Sequence, residues 1–71
     1  MNDELFDDII HVLIRYANDA AREVAKNPSE FELGREEAYY EVLDTIKSRL
    51  IVAGYSLRKC GLNINLEQKY L

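Results

Sequence analysis

Apolar side chains recur along this chain in two long stripes. The first runs Phe6, Ile10, Leu13, Ala17, Ala20, Val24; the second runs Tyr39, Leu43, Ile46, Leu50, Ala53, Leu57, Cys60. Both advance by alternating steps of four and three residues, the spacing that holds side chains on one face of an α-helix. Between them lies Asn27-Pro28-Ser29, which contains the only proline of the sequence. Proline lacks a backbone N–H and disrupts a helix interior, so the chain turns there. The pattern predicts an all-α fold, an antiparallel helical hairpin of two long helices. The first helix spans about 3–26, the turn 27–30, the second helix about 31–60 and a short tail 61–71, all in one domain.

Local signals agree with the stripes. Asn2 or Asp3 can cap the first helix, and Asp3, Glu4, Asp7 and Asp8 place negative charge where the helix dipole favours it. Ser29 and Glu32 have capping-box spacing at the start of the second. Gly54 could end that helix, but the stripe continues through Leu57 and Cys60. With Gly61 just past the end, Leu57 and Leu62 become the touching pair of a Schellman motif. The second helix is therefore expected to reach Cys60, with Gly54 tolerated at a cost of about 1 kcal/mol. The tail allows a short strand at 64–66 or a helical turn capped by Asn65. A tight turn brings Leu13 to Leu43, Ile10 to Ile46, and Ala20 and Ala21 to Gly34 and Ala38. In that register Leu57 and Cys60 overhang the start of the first helix.

The stripes are wider than a hairpin needs. Leu5, Ile9, Val12 and Tyr16 flank the first stripe on one side, and Ile14 and Ala21 flank it on the other. The apolar arc covers about 200°, twice the roughly 100° that meets a single neighbour. On the second helix, Leu33, Tyr40 and Ile51 lie off the main stripe, and Leu57 overhangs. These eight residues, Leu5, Ile9, Val12, Tyr16, Leu33, Tyr40, Ile51 and Leu57, form the candidate surface for self-association or a partner. The expected assembly is a homodimer that closes into a four-helix bundle; the competing reading is that the 64–71 tail folds back and covers the same surface within one chain.

Size points the same way. Seventy-one residues form a marginal core, and small domains gain support from disulfides, metals or partner chains. A lone cysteine, Cys60, forms no internal disulfide, and a lone histidine, His11, falls short of a four-ligand zinc site. Association with another copy is the support that remains. Hydrophobic content of 48% and charged content of 31% describe a folded chain rather than a disordered one. A net charge of −4 argues against anionic membranes and nonspecific DNA. The acidic start, Met1-Asn2-Asp3-Glu4, fits no signal peptide, and no apolar run reaches the length of a membrane span. A free thiol suits a reducing compartment, so a cytoplasmic location is expected.

Catalytic chemistry finds little footing. Asp7 and His11 are four apart, but the Glu-x-x-His pairs of carboxylate-bridged metal bundles do not occur. His11 falls on the polar side of the first helix beside Arg15. Glu36, Glu37, Glu41 and Asp44 alternate with Arg35, Lys47 and Arg49, as on a solvated helix face. Cys60 reads as a structural thiol. Lys47, Arg49, Arg58 and Lys59, with Tyr55, are spread around the helix rather than gathered into a nucleic-acid patch. Neither an enzymatic activity, a cofactor nor a metal is expected.

Phe31-Glu32-Leu33-Gly34 followed by Ala38-Tyr39-Tyr40-Glu41-Val42-Leu43 resembles a group of short, uncharacterised helical proteins of Gram-positive bacteria, some on mobile elements. The resemblance covers the middle third of the chain. It implies a helical fold and a cytoplasmic bacterial setting, and it brings no activity or site. The leading expectation is a non-enzymatic interaction or oligomerisation module. The alternatives are a small acidic regulator or inhibitor of the antitoxin, immunity or anti-defence type, acting on a basic protein target, and a nucleic-acid accessory protein.

Overall fold

The computed structural model describes residues 2–71. Four helices follow one another: α1 (Asp3–Lys26), α2 (Glu30–Ala53), α3 (Leu57–Cys60) and α4 (Leu66–Tyr70). No strand occurs among the described residues. The fold is all-α and 81% helical, well above the third typical of globular chains.

Three of the four starts, those of α1, α2 and α4, have a side-chain cap. Asn2 Oδ1 accepts from the Leu5 amide at 2.7 Å, and Ser29 Oγ from the Glu32 amide at 3.1 Å. The return arm of the second capping box is missing, because Glu32 accepts instead from Arg35 Nε at 2.9 Å. Asn65 Oδ1 accepts from the Gln68 amide at 3.0 Å and opens α4. The helical alternative for the tail is therefore the one adopted.

The second long helix ends earlier than its stripe suggests. Gly54 takes a left-handed φ of 73°. Its amide donates to Ile51 O at 3.1 Å, and the Tyr55 amide donates to Leu50 O at 3.0 Å. That pair of bonds is a Schellman motif, so α2 stops at Ala53 rather than Cys60. Leu57 and Cys60 continue the apolar pattern from a separate helix. The expected Gly61 terminus is present: φ is 85° and the Leu62 amide donates to Leu57 O at 2.9 Å. Left-handed glycines on either side of α3, Gly54 and Gly61, fold the chain back, so Leu57 and Cys60 pack into the core instead of overhanging α1.

The core combines both long helices with the tail. Ile10, Ala17, Ala20, Leu43, Cys60, Leu62, Leu66 and Tyr70 are buried. Phe6, Leu13, Ile46 and Leu50 pack around that centre. Tyr16 and Tyr39 stand level on neighbouring helices, ring centroids 6.3 Å apart. One expected contact fails near the turn. A Cβ on Gly34 would meet nothing within 4 Å, and Ala38 is exposed, so neither provides a close approach to Ala20. On α2 both lie more than 90° from Leu43, at about 100° per residue. Ala17 and Ala20 are nonetheless fully buried.

Candidate interaction face

The tail divides the hairpin into two unlike flanks. α3 packs on α1, and α4 packs on α2. On α1, Ile14 and His11 lie against the Gly61 turn, where an added Cβ would come within 3.4 Å and 3.1 Å of them. Asn18 and Asp7 share that side of the wheel. Asn18 Oδ1 accepts from the Tyr70 hydroxyl at 2.6 Å, and Asp7 Oδ1 from the Tyr55 hydroxyl at 2.7 Å. The tail thus occupies the Asp7–Ile14–Asn18 flank of α1 and the Tyr40–Lys47 flank of α2. The Lys47 ammonium donates to the Ile64 carbonyl there.

The opposite flank is bare. Leu5 is 50% exposed, Ile9 41%, Tyr16 47% and, across on α2, Val42 48%. Val12 is half-buried beside them. At about 100° per residue, Leu5, Ile9, Val12 and Tyr16 fall within roughly 60° of one another. They make a ridge about 17 Å long at 1.5 Å per residue. Val42 borders it from α2, with Thr45 and Ile46 alongside in a shallow groove.

The other four residues of the sequence-derived set do not join this ridge. Tyr40 and Leu57 are half-buried and pack on the core that includes the tail. Leu33 and Ile51 are exposed, but they lie on the tail flank. The sequence reading did not single out Val42, which lies about 60° from the centre of the α2 stripe. Only the position of the tail shows that its side of the hairpin stays open. Phe31 and Val52 are also well exposed.

Several of the polar candidates make contacts within the fold. Asp7, grouped by sequence with His11 on a polar face, is half-buried and holds Tyr55. The Tyr55 ring meets Phe6 edge-on at 5.5 Å, and Lys59 Nζ lies 5.6 Å from its centroid. Its hydroxyl is pushed up to about 12, first by the hydrogen bond to Asp7, then by burial and nearby Asp3. Lys59 reaches Asp3 at 3.6 Å. Tyr55, Lys47 and Lys59 are thereby tied to α1 and the tail. Cys60 is fully buried, its thiol against Leu57 O at 3.6 Å. An open cleft of about 430 Å³ lies between α2 and α4, lined in part by Asp44, Ile51 and Asn65. Among the described residues no group of three or more His, Cys, Asp or Glu is placed to hold a metal. No described helix is long and apolar enough to cross a membrane. No protein-family model, curated protein or solved structure matches this chain.

Proposed function

We propose that this chain is a non-enzymatic protein–protein interaction or oligomerisation module. It works through the flank formed by Leu5, Ile9, Val12, Tyr16 and Val42. The observation that carries this reading is the one-sided tail: it packs on one flank of the hairpin and leaves Leu5, Ile9, Tyr16 and Val42 on the other exposed. The accessible surface of 4,953 Å² exceeds the roughly 4,600 Å² expected of a compact monomer of this mass. Contiguous apolar ridges on small chains mark interaction sites. A buried free thiol accords with a reducing, cytoplasmic setting.

Sedimentation equilibrium tests the reading. The expected result is self-association at micromolar concentration, lost in Ile9→Glu and Val12→Glu while helix content by circular dichroism stays unchanged. An 8.3 kDa species persisting at high micromolar concentration overturns self-association.

A further inference from the structure

The break between α2 and α3 runs against the apolar pattern that crosses it. Leu43, Leu50 and Leu57 keep helical spacing, and so do Ile46, Ala53 and Cys60. An unbroken helix would carry them all on one face. The turn depends instead on one residue type. Gly54 has a φ of 73°, and a Cβ there would meet nothing within 4 Å. Glycine is thus required by backbone conformation and not by space, and it can leave that conformation for a right-handed one without steric cost. α3 is four residues long, and its N-cap Ser56 makes no side-chain cap bond. What latches the turn is Tyr55, whose hydroxyl donates to Asp7 and whose ring meets Phe6. On an unbroken helix Tyr55 would stand about 140° from Leu50, off the face that meets α1.

The direction of the tail matters as much as its hinge. Lys59 reaches Asp3 at the start of α1, and Tyr70 reaches Asn18 further along. The tail therefore runs from the open end of the hairpin toward the turn at 27–29. Two copies set end to end, open ends facing, are related by a two-fold axis perpendicular to the helices. A straight continuation of α2 from one copy then enters the other at its open end and heads toward its turn. That is the direction the second copy's own tail takes. As helix, residues 54–60 advance about 10 Å.

We infer that Gly54 is a hinge through which the chain exchanges its tail, residues 57–71, with a second copy of itself. In the exchanged state α2 runs unbroken from Glu30 to Cys60. The bonds of Tyr70 to Asn18, Lys59 to Asp3 and Lys47 to the Ile64 carbonyl form between copies instead of within one. The exchange gives up the Gly54 turn and the Tyr55 latch. Swapping an identical element is a low-cost route to a dimer. This dimer is separate from association through the apolar ridge, which lies on the other flank of the hairpin.

Sedimentation equilibrium of hinge variants tests the inference, with Ile9→Glu in every protein so that the ridge does not contribute. Gly54→Ala disfavours the left-handed turn and favours the unbroken helix at both hinges of a dimer. It should dimerise at least about a hundredfold more tightly than Ile9→Glu alone, with helix content by circular dichroism retained. Adding Ser56→Pro should return it to the 8.3 kDa monomer. Ser56 has a φ of −71°, and the backbone bonds of the turn are donated by Gly54 and Tyr55, so proline fits the turn but interrupts a continuous helix. A Gly54→Ala protein that stays monomeric at high micromolar concentration, or that loses its helix content, overturns the hinge. So does a dimer that survives Ser56→Pro. The ridge is tested separately by the original chain, so its failure and that of the hinge are distinguishable.

Discussion

The Tyr70 hydroxyl donates to Asn18 Oδ1 at 2.6 Å, fastening α4 to the middle of α1. Tyr70 is itself 1% exposed. Its ring belongs to the buried core while its hydroxyl reaches Asn18 on α1. The tail is therefore part of the hydrophobic centre, and it decides which flank of the hairpin remains available.

Removing that anchor separates ring from hydroxyl. Tyr70→Ala deletes a buried aromatic and should cost about 3–5 kcal/mol, a large share of a small domain's stability. Tyr70→Phe keeps the ring but leaves Asn18 without its partner and should cost about 1–2 kcal/mol. Urea denaturation checks both. Equal losses would mean that the hydroxyl, not the ring, holds the tail.

The three glycines should answer alanine differently. Gly34 lies in an exposed turn of α2 with open space around it, so Gly34→Ala should stabilise by about 0.5–1 kcal/mol through lower unfolded-state entropy and better helix propensity. Gly54→Ala should destabilise by about 1–2 kcal/mol, the cost of a left-handed Cβ. Gly61→Ala should cost more, because the added Cβ also meets the His11 ring at 3.1 Å. Thermal melts of the three variants would expose a wrong order.

Alkaline pH should loosen the tail before the long helices. Tyr55 titrates at about 12 in the fold, chiefly because its hydroxyl donates to Asp7, against about 10 in an unfolded chain. A folded pKa raised above the unfolded one stabilises fully below about pH 10 and loses that stabilisation as pH climbs through about 12. Burial raises Tyr70 and Tyr40 in the same sense. Stability measured between pH 9 and 11.5 should fall, and fall less steeply in Tyr55→Phe. An unchanged slope in that variant would remove the Tyr55–Asp7 bond from the account.

Core and surface should respond in opposite ways. Leu43→Ala empties a fully buried site and should cost about 2–5 kcal/mol. His11→Ala removes an exposed ring and should stay within about 0.5 kcal/mol. Loss of folding in His11→Ala would show that its contact with the Gly61 turn carries structural weight.

Periodicity, proline and capping residues determined the two long helices, their turn, the Gly61 terminus and the core stripe of Ile10, Ala17, Ala20 and Leu43. These are local properties: helical spacing and cap chemistry act within a few residues, so they can be read along the chain. The break at Gly54 was written there as well, but it competed with a stripe that ran on through Leu57 and Cys60. The stripe describes which side chains are buried and says nothing of whether one helix or two carry them. Only the tertiary structure decided that a left-handed Gly54 and Gly61 turn the tail back. It decided too that Tyr55 finds Asp7 and Tyr70 finds Asn18, contacts across 48 and 52 residues that no local pattern encodes. The same packing placed Tyr40 and Leu57 against the chain's own core and left Leu5, Ile9, Tyr16 and Val42 uncovered. A helix wheel shows that an apolar arc is too wide for one neighbour; which side of the arc is covered depends on where the rest of the chain comes to lie.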